Sequence, residues 1–256
     1  MSYLLRPMLT SFFAETETMK TIRHAVDFAI MTVESSSFSE PAPSLITGKP
    51  GTGKTTALLK LASEDERIIY MQASEGRHNL NGMLKTLLAA MNVPYERRHA
   101  SDLEELVMFY LDADYAWRER ASYIIFVDEY QSYDLRATRE LMRVCEAARV
   151  PLILAGNNEK LKASQAEKTA IDQINSRIGM MVEIDKPTVK DCLSIGVGYN
   201  VEGKESYDCL AEYGQRYSLR ELVRVLNLCK NMTGGVGSIK LHLIDEAIRS
   251  LPWRVR

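Results

Sequence analysis

At 256 residues, 46% of them hydrophobic and 26% charged, the chain is long enough for one large domain, or for a core domain with a small second one, and can bury a substantial core. A formal net charge of −2 argues against a protein that coats nucleic acid by bulk charge, so any such contact must come from a local basic stripe or from several assembled subunits. The four cysteines, Cys145, Cys192, Cys209 and Cys229, form no C-x-x-C pair and make no ligand pattern with His24, His78, His99 and His242, which argues against zinc and for reduced thiols.

The first ten residues lack the series of basic segment, apolar core and small-residue cleavage site, and no run approaches the roughly 18 apolar residues of a membrane span. The expectation is a cytoplasmic protein. Phe12-Phe13-Ala14-Glu15-Thr16 leads into Glu17 to Val33, where Ile22, Val26, Ala29, Ile30 and Val33 recur at helical spacing. A Ser- and Pro-rich connector over 35–43 follows, and Ser44-Leu45-Ile46-Thr47 reads as the first core strand.

Gly48-Lys49-Pro50-Gly51-Thr52-Gly53-Lys54-Thr55 fits the spacing G-x-x-x-x-G-K-[ST], and Thr56 to Ala62 after it is helix-forming. Strand, loop and helix come in the order a phosphate-binding loop needs. Glycines let successive N–H groups turn inward around phosphate oxygens at a helix N-terminus, where the dipole favours negative charge. Lys54 is expected to reach the β- and γ-phosphates and Thr55 to place its hydroxyl on Mg²⁺, with Thr56 completing the nucleotide-binding stretch.

Arg67 to Met71 reads as a short strand and Leu80 to Met91 as a helix, with the polar stretch 74–79 between them. Ser101-Asp102-Leu103-Glu104 has the form of a capping box opening a helix to about Glu119. Tyr123-Ile124-Ile125-Phe126-Val127 is apolar throughout, as a strand buried on both faces of a parallel sheet should be, and it ends in Asp128-Glu129. Carboxylates at that end face the ligand crevice of an open α/β sheet. Asp128 is expected to hold the Mg²⁺ hydration shell, and Glu129 to orient and polarise the attacking water.

On the helix Asp134 to Arg149, Arg136, Arg139 and Arg143 share one face; a solvated face and a DNA- or subunit-facing role both fit that stripe. Val150 to Ala155 is the next strand, and Asn157 after it would lie beside Glu129 if the two strands are neighbours, holding the attacking water or sensing the γ-phosphate. Met180 to Ile184 completes five strands. The predicted fold is an α/β P-loop NTPase: a five-stranded parallel sheet with helices on both faces, followed by a small helical lid domain. The expected domains are 1–43, an N-terminal helix and connector packing on the core; 44–186, the nucleotide-binding core; and 187–256, the lid, with helices at 189–197, 205–217, 218–232 and 238–251.

Taken together, these landmarks resemble the AAA+ ATPases over about 12–251. The resemblance implies ATP hydrolysis with ATP and Mg²⁺ as cofactors, at a site completed by an arginine from a neighbouring subunit. The position before the last core strand matches Arg177, in Asn175-Ser176-Arg177-Ile178. The family's lid arginine matches Arg220, in Tyr217-Ser218-Leu219-Arg220-Glu221, although the usual glycine before it is missing, and Arg224 is the substitute.

Within that class, Phe13-Ala14-Glu15-Thr16, the phosphate loop, Val127-Asp128-Glu129-Tyr130-Gln131 and Leu154-Ala155-Gly156-Asn157 resemble the transposition-regulator group of the phage Mu B protein, TniB and TnsC. That resemblance implies a nucleotide-dependent homo-oligomer, ring or helical filament, on double-stranded DNA without strong sequence specificity, which selects target DNA for a transposase and stimulates it. A loader or motor acting on a protein partner, initiator-like or secretion-associated, is the alternative. The candidate DNA contacts are Arg77, His78 and Lys85, then Arg97, Arg98 and His99, then Arg136, Arg139 and Arg143. The basic tail 250–256 offers a partner-docking segment.

Overall fold

The computed structural model describes residues 13–35, 40–96, 99–112, 121–157 and 165–251, and in it the chain divides into two units. Ile22–Thr47 and Thr55–Glu183 belong to the first. Described residues up to Thr21, the loop Gly48–Lys54 and the residues from Ile184 onward belong to the second.

The first unit is built on a parallel sheet of β1 (Ser44–Gly48), β2 (Ile68–Gln72), β3 (Ile124–Asp128), β4 (Leu152–Gly156) and β5 (Met180–Ile184), in the order β2-β3-β4-β1-β5. Position in that order explains the composition of each strand. β3 and β4 lie inside the sheet, are buried at every residue, and read as continuous apolar runs. β2 and β5 are edges and alternate between covered and exposed positions.

Among the described residues, the helices that accompany the strands are α1 (Glu17–Glu34), α2 (Lys54–Glu64), α3 (Leu80–Ala90), α4 (Ala100–Asp112), α5 (Leu135–Ala147) and α6 (Gln165–Asn175). On one face of the sheet Leu45, Ile69, Met71, Ile125, Val127, Leu152 and Leu154 pack in one cluster with Leu84, Leu87, Leu88, Leu103, Val107, Leu141 and Met142 of α3, α4 and α5. The alternate residues Ile46, Ile124, Phe126 and Ile153 turn to the other face and are equally buried. There the Ser44 hydroxyl donates to the Ala25 carbonyl of α1 at 2.7 Å. Each large apolar side chain so covered contributes about 1.5–3 kcal/mol.

Two caps fix where helices start. Asn79 accepts from the Gly82 N–H at 2.9 Å to open α3, and Asp134 accepts from the Ala137 N–H at 2.6 Å to open α5. Ser101 does not act as the predicted cap. α4 already begins at Ala100, with the Leu103 N–H on the His99 carbonyl, so Ser101 lies inside the first turn and its hydroxyl turns to Asp102. The predicted extension of this helix to Glu119 falls outside the described residues, as do Phe12, residues 36–39 of the connector and 252–256 of the basic tail. α6 is an element that the hydrophobic pattern did not place, and Glu75–Arg77 forms a short 3₁₀ turn in the polar stretch 74–79.

The second unit carries α7 (Val189–Gly198), α8 (Lys204–Arg216), α9 (Leu219–Met232) and α10 (Leu241–Arg249) around Cys192, Leu210, Leu222, Val225, Leu226, Ile244 and Ala247. Thr188 and Asp191 form a reciprocal capping box on α7. Asp191 is fully buried and also accepts from Thr18, through the backbone N–H at 3.2 Å and the hydroxyl at 3.3 Å. One isolated parallel bridge, Val201 with Ile239, occurs where only helices were expected, and α10 accordingly starts three residues later than the predicted 238.

Candidate nucleotide site

The phosphate loop is shaped by its own backbone. Gly51 and Gly53 have φ of 83° and 99°, a region open at little cost only to glycine. Gly51 is also pressed by the start of α9: a Cβ there would lie 2.9 Å from Ser218, and the Gly51 carbonyl accepts from the Arg220 N–H at 3.2 Å. Lys54, 6% exposed, holds its ammonium against the Gly48 carbonyl at 2.6 Å and the Lys49 carbonyl at 2.9 Å, with the Thr52 hydroxyl at 3.5 Å. Thr52 in turn donates to the Lys49 carbonyl at 3.0 Å. Lys49 and Pro50 are exposed, and Lys49 pairs with Asp185 at 2.9 Å, which holds that carboxyl below its ordinary range.

Arg220 thus approaches the loop through its backbone. Ser218 accepts from the Glu221 N–H at 3.2 Å, which is half of the predicted capping box. The other half is not made, because Glu221 takes the Arg224 guanidinium at 2.6 Å instead.

In the first unit, the ends of β2, β3 and β4 bring a second group of side chains together. Asp128, 1% exposed at the end of β3, accepts from the Thr55 hydroxyl at 2.6 Å and from the Tyr70 hydroxyl at 3.1 Å, both on one carboxylate oxygen. The other oxygen takes the Glu129 N–H at 3.0 Å. Burial, followed by the negative charge of Asp128, pushes the Tyr70 phenol well above its usual range, so it stays a donor. Sequence reading did not single out Tyr70. The available signal was a polar-tipped aromatic in a strand that otherwise reads as apolar.

Beyond Asp128 the chain takes a left-handed turn at Glu129, with φ 54° and ψ 37°, uncommon for a non-glycine residue. Gln131, a second residue that the motif reading did not use, donates from its amide to the Glu129 carboxylate and accepts from the Asn157 N–H at 3.3 Å. β3 and β4 are neighbours, so Asn157 follows a strand adjacent to the one that delivers Glu129.

A buried carboxylate joined to a threonine hydroxyl and a phenol is an all-oxygen donor set that suits a hard divalent cation such as Mg²⁺, which commonly takes only one or two protein oxygens beside phosphates and water. Among the described residues no group of three or more His, Cys, Asp and Glu could hold a metal by itself.

Arg177 lies at the opposite end of the sheet, before β5, with its guanidinium 3.3 Å from Glu146 of α5. It borders a cavity of about 380 Å³ whose lining includes Thr32, Pro43, Cys145 and Pro151, residues at the entry ends of β1 and β4 or facing them. Arg149 is tied to the Val33 carbonyl at 3.1 Å.

Among the basic residues, the Asp134 N–H donates to the His78 carbonyl at 2.9 Å, which brings exposed Arg77 and His78 to the start of the helix that carries exposed Arg136 and Arg139. Lys85 is half-buried on α3. Arg143 is engaged by both Glu140 and Glu104, so it is the least available member of the stripe. His99 is exposed beside α4, whereas Arg97 and Arg98 fall outside the described residues. Thr56 is exposed on the first turn of α2.

Residues 39–163 match the AAA domain family. No curated protein matches the sequence. Among solved structures, the Aeropyrum pernix ORC2 protein in ADPNP and ADP complexes is similar with a TM-score of 0.64 and 16% identity, over 94% of this chain and 70% of that one. Cdc6p from Pyrobaculum aerophilum gives 0.59 and 13%, over 88% and 66%. The replication initiator DnaA, bound to AMPPCP and single-stranded DNA, gives 0.57 and 20%, over 93% and 66%. Among the described residues no helix is long and apolar enough to cross a membrane. The chain is therefore similar to the AAA domain family over residues 39–163 and has the AAA+ P-loop fold, a five-stranded parallel sheet with helices on both faces followed by a helical C-terminal region.

Proposed function

We propose that this chain is a Mg²⁺-dependent ATP hydrolase that assembles on double-stranded DNA in its ATP state and selects target DNA for a transposase. The observation that carries the hydrolase reading is the 2.6 Å hydrogen bond from Thr55 to Asp128. It joins the residue directly after Lys54 in the phosphate-loop motif to the carboxylate ending β3, two parts of the chain separated by 73 residues. In this reading, Gly48 to Thr56 cradle the triphosphate, Thr55 and Asp128 hold Mg²⁺, Glu129 and Asn157 hold the attacking water, and Arg220 reads the γ-phosphate. Mg²⁺, when bound, would neutralise charge on the transferred phosphoryl group. The domain assignment proposed with it is 1–43, 44–186 and 187–256.

Arg177 fits a role in a second copy of the chain. Strands of five residues span about 16 Å, so an arginine at their entry end stands far from the carboxylates at their exit end in the same subunit. A γ-phosphate reached by Arg177 then belongs to a neighbour, and hydrolysis requires an oligomer. In such an assembly the few exposed cations around Arg77, His78, Arg136 and Arg139 are multiplied along a duplex, which reconciles near-neutral charge with binding to the DNA backbone. The transposase partner rests on the motif resemblance alone.

A second reading is a loader or motor acting on a protein partner, replication-initiator-like or secretion-associated; its initiator-like form is supported by the similarity to the replication initiator DnaA. Co-sedimentation with long duplex DNA in ATP, in ADP and without nucleotide separates the two. Pelleting only with ATP supports the DNA-assembling ATPase, whereas a protein that hydrolyses ATP yet stays in solution in all three mixtures has a protein client.

A further inference from the structure

Gln131 bridges the Glu129 carboxylate to the end of β4. It stands in the short 3₁₀ turn Tyr130–Ser132 that follows β3, and both ends of its amide are used. Nε2 donates to Glu129 Oε2 at 2.5 Å, and Oε1 accepts from the Asn157 N–H at 3.3 Å. The partners fix the orientation of the amide, because a carboxylate only accepts and a backbone N–H only donates.

Space for that amide is created by the neighbouring strand. A Cβ on Gly156 would sit 2.1 Å from Gln131 Oε1 and 2.8 Å from the Tyr130 ring, so the missing side chain at the end of β4 is what admits Gln131 between the two strand ends. Glu129 itself is held in the left-handed region, which aims its side chain out of the direction of β3 and toward the amide. Three separate features, a strained turn, a glycine and a bridging amide, converge on one carboxylate.

We propose that Gln131 is a positioning residue for ATP hydrolysis. It holds the Glu129 carboxylate in the rotamer that orients the attacking water, and it ties that carboxylate to the backbone at Asn157, so that movement of the β4 end is transmitted to the base. The inference rests on Glu129 being the water-orienting carboxylate. In this role Gln131 acts through Glu129 and not directly on the nucleotide or the water.

The test is steady-state and single-turnover hydrolysis by the full chain, comparing wild type, Gln131→Met, Glu129→Gln and the double variant, with Gly156→Ala as an independent route to the same displacement. Methionine fills the same volume without either hydrogen bond. Misplacing a catalytic group by an ångström typically costs on the order of 10²-fold, so Gln131→Met is expected to lower kcat about 10- to 100-fold with KM for ATP within about twofold. Gly156→Ala should reproduce that pattern, and the double variant should hydrolyse no more slowly than Glu129→Gln alone. Wild-type turnover by Gln131→Met, or a further proportional loss in the double variant, overturns the proposal. Wild-type turnover by Glu129→Gln overturns the reading beneath it and the proposal together, and the two failures are distinguished by which single variant keeps its rate.

Discussion

The Thr55 hydroxyl and the Asp128 carboxylate lie 2.6 Å apart, and the Tyr70 phenol closes on the same carboxylate oxygen at 3.1 Å. The first contact joins α2 to the end of β3, and the second joins β2 to it. An oxygen that already has two donors is oriented before any cation arrives.

Tyr70→Phe keeps the ring and removes only the phenol. Partners of metal ligands typically contribute 10- to 100-fold in metal affinity or activity, so the variant should need about tenfold more Mg²⁺ for half-maximal ATP hydrolysis while unfolding at nearly the wild-type temperature. Thr55→Ala should show a larger loss in the same Mg²⁺ titration. An unchanged Mg²⁺ requirement in both variants would remove this carboxylate from the metal site.

Lys54→Ala should abolish ATP-dependent thermal stabilisation. The ammonium is already gathered against the Gly48 and Lys49 carbonyls, and its bond to Gly48 is buried, so its loss strands an acceptor and should cost about 1–3 kcal/mol of stability even without nucleotide. A melting series in the presence and absence of ATP checks both parts.

Arg177→Ala should spare ATP binding by isolated subunits and lower hydrolysis on the order of 10³-fold, the usual magnitude for a charge that stabilises phosphoryl transfer from a neighbouring subunit. Its partner Glu146 forms an exposed pair, worth at most about 1 kcal/mol, so Glu146→Gln should leave the fold intact. Mixing Arg177→Ala with Lys54→Ala subunits should restore part of the activity if the arginine acts across subunits.

Asp191→Ala should be among the most destabilising single changes in the helical unit. The buried carboxylate serves the Thr188 N–H at 2.9 Å and two donors of Thr18, and removing it strands all three, a cost of about 2–4 kcal/mol by urea unfolding.

Burial pushes the Cys192 and Cys229 thiols up to about 11, and it raises Cys145 further. Only the thiolate reacts, and at pH 8 a thiol of that kind is ionised in about one molecule per thousand. Native protein at pH 8 should therefore expose half-buried Cys209 first to a thiol reagent, and release the remaining three only on unfolding.

Local chemistry was legible in the sequence. The phosphate-loop spacing, the apolar run ending in Asp128-Glu129 and the five strands follow from rules that act within a few residues: glycine conformations, β-propensity and burial on two faces. β5 runs from Met180 to Ile184 and α3 starts at Leu80 as the pattern predicts, whereas α5 starts one residue after the predicted Asp134, which caps it. α6 escaped because its amphipathic signal is short and polar, and the cap at Ser101 failed because a serine within a first turn has the same local sequence as one at a cap.

Relations between strands were decided only by the tertiary structure. Nothing near Tyr70 in sequence says that its phenol meets a carboxylate 58 residues away, nor that Gly156 clears room for Gln131. Both depend on β2, β3 and β4 lying side by side, and that order is set by packing of the whole sheet. The sequence by itself determined which groups could bind a phosphate and a hard cation. Three-dimensional packing decided which side chains hold those groups in place, because support of that kind comes from neighbours across the sheet and leaves no periodic trace along the chain.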